Sequence, residues 1–286
     1  MNYRHAFHAG NYADVFKHIL LLKLLRALQR KEKGFLYLDT HAGRGAYDLA
    51  SAAPDPERAP EWPAGIGRLW KAPHLPPALG DYVALVREFD ERRGGNGAQP
   101  RFYPGSPWIA ALVRRPQDRL TLWEWQAGEV RKLRAEFRWS RGTTVESGDG
   151  YGALRAALPP RERRALVLID PPFEDQGEFK AVLTALGEGL QRFPSGVYAV
   201  WYPVTERAQA EAFHRALRAK WRLPTLEAEL AVTADPQVRM KGCGLLVINP
   251  PWGFADELKS LLPALTSQLG TDANASWRWA WLVPER

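Results

Sequence analysis

Asp170-Pro-Pro-Phe173 closes the apolar run Ala165–Ile169. It sets a carboxylate, two prolines and an aromatic ring in a row. Proline lacks an N–H and fixes its own φ, so the carbonyls around such a pair point at something other than a strand ladder. These residue types suit chemistry on an exocyclic amino group of a planar base. That nitrogen is a poor nucleophile because its lone pair is delocalised into the ring. Hydrogen bonds from its two hydrogens to the Asp170 carboxylate and the Pro171 carbonyl would localise the pair. Stacking on Phe173 would hold the base for in-line attack on a sulfonium methyl. The competing reading is a proline-rich turn after a buried strand.

A second stretch, Leu36-Tyr-Leu-Asp39-Thr-His41-Ala-Gly43-Arg-Gly45, ends another apolar run in an acid and a glycine-rich turn. Glycines let backbone approach a ligand closely. With only Gly43 and Gly45, the full dinucleotide fingerprint is missing, and a tight turn also explains the pair. Glu124 ends the next strand-like run, where a carboxylate can take ribose hydroxyls. Asp149, followed by Gly150, ends the third, where an acid can meet an adenine amino group. Taken singly, Glu124 and Asp149 also read as exposed strand-end charges. Three acidic strand ends without a phosphate-gripping P-loop favour S-adenosylmethionine over ATP or NAD.

Asn249-Pro-Pro-Trp252 spells a near copy of the Asp170 loop. If its strand runs antiparallel to the others, its end falls at the opposite edge of the sheet. The segment Tyr3 to His18 is polar and aromatic and precedes the first long helix. It either folds over the cofactor crevice, bringing Tyr and Arg to the nucleotide, or merely covers the sheet. Four of the six histidines are His5, His8, His18 and His41, yet no H-E-x-x-H occurs and no metal is expected. Pro104-Gly-Ser106-Pro opens a helix. The Ser106 hydroxyl or nearby N–H groups could meet a carboxylate, or Ser106 could simply cap.

The elements that must position these residues follow from apolar periodicity. Asp14 is expected to cap a helix running to Lys31–Gly34. Strands are predicted at 35–39, 120–124, 143–146, 165–170, 196–201, 226–232 and 244–248, with helices at 127–138, 151–158 and 205–221. Strands alternating with helices imply an α/β fold with a mainly parallel sheet covered on both faces. The last two strands are too close for a helical crossover and should form an antiparallel edge hairpin. Between about 53 and 104 the rhythm breaks. Pro54, Pro56, Pro60 and Pro63 crowd one end, and 66–70 and 79–92 look helical, so a small helical insertion in a single domain spanning 1–286 is expected.

Composition bounds the rest. The 286 residues are 45% hydrophobic and 25% charged, which excludes global disorder and allows a sizeable core. A lone cysteine, Cys243, excludes a disulfide framework and four-cysteine zinc sites. No signal peptide or bilayer-length apolar run is read, so a reducing cytoplasm is the expected compartment. The net charge of +7 suits a polyanionic partner.

In order, Tyr3-Arg-His-x-Phe-His-Ala-Gly-Asn-x-Ala-Asp-Val-x-Lys17-His18, Tyr-Leu-Asp39-Thr-His41-Ala-Gly, Tyr-Pro-Gly-Ser106-Pro, Ile-Asp170-Pro-Pro-aromatic, Trp-Tyr-Pro-Val and Asn249-Pro-Pro-Trp252 run through the chain. Together they resemble the bacterial 23S ribosomal RNA adenine-N6 methyltransferases, the RlmJ family. The resemblance implies a Rossmann-like class I methyltransferase that uses S-adenosylmethionine on one rRNA adenine. It implies that Lys17, His18, His41, Ser106, Glu124, Asp149, Gly150 and Asp170 hold the cofactor. Asp170 matches the proton acceptor and Tyr3 an RNA contact. Phe173 departs from the tyrosine common in that family, which keeps the stacking face and loses a hydroxyl. Related amino methyltransferases carry Asn where Asp170 stands, so positioning can matter more than proton acceptance. DNA, a protein glutamine amide, and catalytically silent RNA binding are the competing functions. Arg87, Arg92 and Arg93 are candidate phosphate contacts, and no oligomer is expected.

Overall fold

The structure is a computed structural model and describes residues 5–51, 59–175 and 177–285. The chain enters through a short helix, α1 (His5–His8), and the long α2 (Tyr12–Gln29). Asn11, not Asp14, caps α2: its side chain accepts from the Asp14 N–H at 2.9 Å. Asp14 lies in the first turn, where its carboxylate is buried and accepts from the Gly10 N–H at 3.0 Å. The helix stops at Gln29, short of the predicted end, leaving the charged residues 30–33 in the loop to the sheet.

β1 (Leu36–Asp39) follows, then β2 (Ala46–Asp48), α3 (Ile66–Lys71), α4 (Pro77–Arg92) and β3 (Phe102–Pro104). β2 and β3 pair antiparallel and bracket the two helices. Two helices thus occupy this stretch, which closes with a strand that periodicity did not show; three residues are too few for a pattern. Its Ile66, Leu69, Tyr82 and Val86 share one core with α2 and the sheet.

The rest alternates: α5 (Ser106–Val113), β4 (Arg119–Glu124), α6 (Ala127–Phe137), β5 (Thr143–Ser147), α7 (Gly152–Ala157), β6 (Ala165–Ile169), α8 (Glu178–Arg192), β7 (Val197–Val204) and α9 (Arg207–Lys220). β8 (Thr225–Ala231), β9 (Gly242–Ile248), α10 (Phe254–Leu269) and β10 (Ser276–Val283) complete the chain. Among the described residues one sheet takes the order β5-β4-β1-β6-β7-β9-β8-β10. From β5 to β7 every pairing is parallel; β9 is antiparallel to β7 and β8. This is the mainly parallel α/β sheet that the alternation of strands and helices predicted. The β8–β9 hairpin forms as predicted, with β10 added antiparallel outside it. α10 was hidden by Pro263 within it, although Phe254, Leu258, Leu261, Leu265 and Leu269 keep helical spacing. The alternation Trp277, Trp279, Trp281 was the available signal for β10.

Alternation also splits the core. Tyr37 packs with α2, α10 and the insertion on one face, while Leu36 and Leu38 pack with α7, α8 and α9 on the other. No helix among the described residues is long and apolar enough to cross a membrane.

Candidate active site

Parallel strands deliver their carboxyl ends to one edge, and backbone hydrogen bonds join the loops there. The Thr40 N–H and hydroxyl both donate to the Leu168 carbonyl, at 3.1 and 3.0 Å. The Ala42 N–H donates to Trp123 at 2.8 Å, and the Gly148 N–H to the Glu124 carbonyl at 3.0 Å. Two glycines make this closeness possible. A Cβ on Gly150 would stand 1.9 Å from the Thr40 oxygen. Gly43 has φ +59, and a Cβ there would meet the Tyr47 hydroxyl at 2.5 Å.

The acids differ in their surroundings. Glu124 is buried and accepts the Gly43 N–H through Oε2 and the Gln126 N–H through Oε1, both at 2.8 Å. Burial raises its pKa against those bonds. Asp39 is fully buried on the same face as Tyr37, two residues back. Its Oδ2 accepts from the Tyr37 hydroxyl at 2.8 Å and the Ser106 hydroxyl at 2.7 Å. Burial pushes Asp39 up to about 6 even so. Ser106 therefore does not cap α5; Gly105 holds the cap position and Ser106 is spent on Asp39. Asp149 is exposed and accepts from the Tyr151 N–H at 3.0 Å.

Asp170 meets this group from β6. Its Oδ2 accepts from the Lys17 ammonium at 2.5 Å, and Lys17 also donates to Asp14 at 2.9 Å. Burial alone would lower the Lys17 pKa; the Asp14 and Asp170 carboxylates outweigh it and raise it well above the ordinary value. The ammonium is thus permanently charged. His18, one residue on, is fully buried and bonds the Tyr103 hydroxyl at 2.8 Å, which bonds Tyr82 at 2.7 Å. His41 bonds the Thr40 hydroxyl through Nδ1 at 2.8 Å. That hydroxyl already donates to Leu168, so Nδ1 carries the proton and Nε2 keeps a lone pair. Burial pushes His41 down to about 4, which keeps it neutral. The His41 ring meets Tyr151 edge-on at 5.1 Å.

Phe173 follows the prolines with φ 50, a left-handed conformation rare outside glycine. Its ring is half-buried, 4.9 Å from Phe179 and 5.8 Å from Trp201 between centroids. Asn249-Pro-Pro-Trp252 falls at the other edge. The Asn249 amide donates to the Pro194 and Gly196 carbonyls, both at 2.8 Å, in the turn that precedes β7.

A family model described as "Ribosomal RNA large subunit methyltransferase D, RlmJ" matches residues 32–283. The chain belongs to this family. It is 43% identical over 286 residues to "Ribosomal RNA large subunit methyltransferase J" of Haemophilus influenzae, covering 100% of both chains. The same identity and coverage hold for the Escherichia coli protein of that name. Among solved structures, protein LPL1258 of Legionella pneumophila superposes with a TM-score of 0.85 at 35% identity, over 96% of this chain and 98% of that one.

The geometry gathers Lys17, His41, Ser106, Glu124, Asp149, Gly150 and Asp170 around the carboxyl edge, while His18 is buried against Tyr103. Tyr3 lies outside the described residues. The N-terminal segment packs on the insertion: His8 and Asn11 both bond Glu61, at 2.9 and 2.8 Å. It also supplies Lys17 to the edge. The Lys17–Asp170 pair is what sequence reasoning missed, because 153 residues separate the partners. Arg87 bonds the Trp70 carbonyl and Arg93 the Glu136 carboxylate, while Arg92 pairs with Glu88 on an exposed helix face. Elsewhere, His214, Glu227 and Glu229 have ligand atoms within 4.8 Å of one another. Arg278 and Arg207 already bond those two carboxylates, so a cation would have to displace an arginine.

Proposed function

We propose that this protein transfers a methyl group from S-adenosylmethionine to the N6 amino group of one adenine in 23S rRNA, in the cytoplasm. The observation that carries the reading is the Asp170 carboxylate, gripped by Lys17 at the edge where Asp39, Glu124 and Asp149 also end. The family membership supports the same class of substrate.

The residues suit the cofactor's parts. Glu124, fixed by two backbone N–H groups, keeps lone pairs for a ribose diol. Asp149, exposed beside Gly150, can accept from an adenine amino group. An ammonium has three donors and Lys17 spends two on Asp14 and Asp170, leaving one for a carboxylate. The Ser106 N–H at the start of α5 and the His41 Nε2 lone pair complete the polar lining, and His18 lies 4.0 Å from the Asp14 carboxylate that holds Lys17. The bound cofactor supplies an electrophilic methyl on sulfonium.

Lys17 holds one Asp170 oxygen, so the other and the Pro171 carbonyl would accept the two N6 hydrogens. Accepting both localises the nitrogen lone pair for in-line attack. The N6–CH3 bond forms as the S–CH3 bond breaks, and the N6 proton leaves to Asp170 or to water. Phe173 offers the stacking face for a base turned out of its helix. One copy of the chain carries every residue this reading uses. Labelled S-adenosylmethionine incubated with the purified enzyme and naked rRNA, DNA or protein tests it. Label is expected on rRNA as N6-methyladenine; transfer to DNA alone would overturn the assignment.

A further inference from the structure

The chain's positive charge is gathered at the edge of the sheet opposite the active site. The segments 30–33, 114–119, 138–141 and 161–164 enter β1, β4, β5 and β6 from that side. They hold eleven Lys or Arg against three acids, Glu32, Asp118 and Glu162, a net +8, while the whole chain carries only +7. The remainder of the chain therefore sums to about −1.

The segments are stitched together. Arg115 donates to the Gln29 and Lys31 carbonyls at 3.0 and 2.9 Å, and Arg164 to the Leu28 carbonyl at 2.6 Å and to that of Lys33. Arg30 donates to the Trp252 carbonyl at 3.1 Å, joining the loop after β9 to the same surface. Arginines inside the seam are consumed by these bonds and by Asp118 and Glu162. Lys31, Lys33, Arg138, Arg141 and Arg163 are exposed instead, and so is Arg161, which keeps Glu162 as a partner at the surface. Two large aromatics stand among them: Trp139 is 82% exposed and Trp252 85%. Arg138 lies against the Trp139 ring at 4.9 Å. Exposed tryptophan interleaved with unpaired cations fits a polyanion that also offers flat apolar faces.

We propose that this edge is a second RNA-docking surface, which grips phosphates of the substrate through its lysines and arginines and stacks unpaired bases on Trp139 and Trp252. It rests on the rRNA reading above. Duplex DNA presents phosphates but no free base faces, and an anionic lipid surface presents phosphates but no base to stack on; looped RNA presents both. Strands of five and six residues, β6 and β4, set the two edges roughly 15–20 Å apart at about 3.3 Å per residue. A folded rRNA segment can span that distance while its target adenine occupies the catalytic edge. The surface then contributes to RNA affinity and not to the chemical step.

The test uses the full chain and a structured 23S rRNA transcript. One variant combines Lys31→Ala, Lys33→Ala, Arg141→Ala, Arg161→Ala and Arg163→Ala; a second combines Trp139→Ala and Trp252→Ala. In the charge variant RNA affinity should fall on the order of tenfold or more, and the slope of log affinity against log salt should drop by about 2–4. In the tryptophan variant affinity should fall several-fold with the slope kept. In both, kcat at saturating RNA, S-adenosylmethionine affinity and Tm should match wild type. Wild-type RNA affinity and salt slope in the charge variant would overturn the proposal. So would equal binding of duplex DNA with no effect of the tryptophans, or loss of binding only to phosphatidylserine vesicles. If wild type binds the transcript through this surface but methylates only another substrate, the rRNA-methylation reading fails and the docking surface stands.

Discussion

Asp170-Pro-Pro-Phe173 and Asn249-Pro-Pro-Trp252 each follow a buried strand, and each contains one residue with left-handed φ, Phe173 at 50 and Asn249 at 52. Their side chains nonetheless do different work. Asp170 takes the Lys17 ammonium at the edge where the other strand-end acids gather. Asn249 donates to two carbonyls and clasps the turn before β7. The difference comes from strand direction: β6 is parallel to its neighbours and β9 antiparallel. A motif's letters specify a local shape, and the direction of its strand specifies which edge receives it. The same contrast extends to charge, since strand-end carboxylates line one edge and exposed cations the other.

The sharpest way to break this comparison is to delete the first residue of each loop. Asp170→Ala should lower kcat by on the order of 10²–10³ or more, because the amino group loses its charged acceptor. Asn249→Ala should leave turnover near wild type and lower stability by about 0.5–2 kcal/mol, because two hydrogen bonds are lost, one to an exposed carbonyl and one to a half-buried one. Single-turnover methyl transfer and thermal denaturation read the two effects; equal losses of kcat would mean that the loops share a site.

The aromatic positions sharpen it next. Phe173→Ala should cost about 1–3 kcal/mol in kcat/KM for RNA, with kcat itself reduced, because base stacking is lost at the reacting centre. Trp252→Ala should raise KM for RNA with kcat unchanged. Steady-state kinetics on one transcript separates them, and a kcat defect in the Trp252 variant would remove the distinction.

The last effect concerns the cost of the acidic edge. With Asp39 pushed from 3.8 to about 6, the folded state binds more protons than the unfolded state between those values. Ionisation of Asp39 therefore destabilises the fold, not at all below pH 4 and fully above about 7. Asp39→Asn keeps an acceptor for Tyr37 and Ser106 and removes the charge. The variant's stability relative to wild type should rise by about 3 kcal/mol between pH 4 and pH 7.5. Urea unfolding at both pH values checks this; a gain independent of pH would show that Asp39 is not the source.

Much of the site was legible because it rests on short-range rules. Apolar runs that end in Asp39, Glu124 and Asp170 announce buried strands with acidic ends, and the two prolines after Asp170 announce a turn that leaves the ladder. Even the exclusion of Asn249 followed from loop length, since a short connection after β8 forces β9 to turn back. What escaped was contact between distant segments. Nothing near Lys17 says that it will meet Asp170, nothing near Ser106 says that its hydroxyl will go to Asp39, and Asp14 looks like a cap until Asn11 takes that place. The basic edge was equally hidden, because its cations are scattered over four segments that only the sheet brings side by side.

By itself the sequence determined the alternation of strand and helix, the acidic strand ends and the Asp-Pro-Pro-aromatic loop, because apolar period, turn chemistry and end residues act over a few neighbours. The tertiary structure alone decided which of two look-alike loops joins the acids, which ammonium holds Asp170, and on which edge the positive charge collects. Those depend on strand order and direction, which arise from packing the whole sheet between its helices and not from any local run of residues.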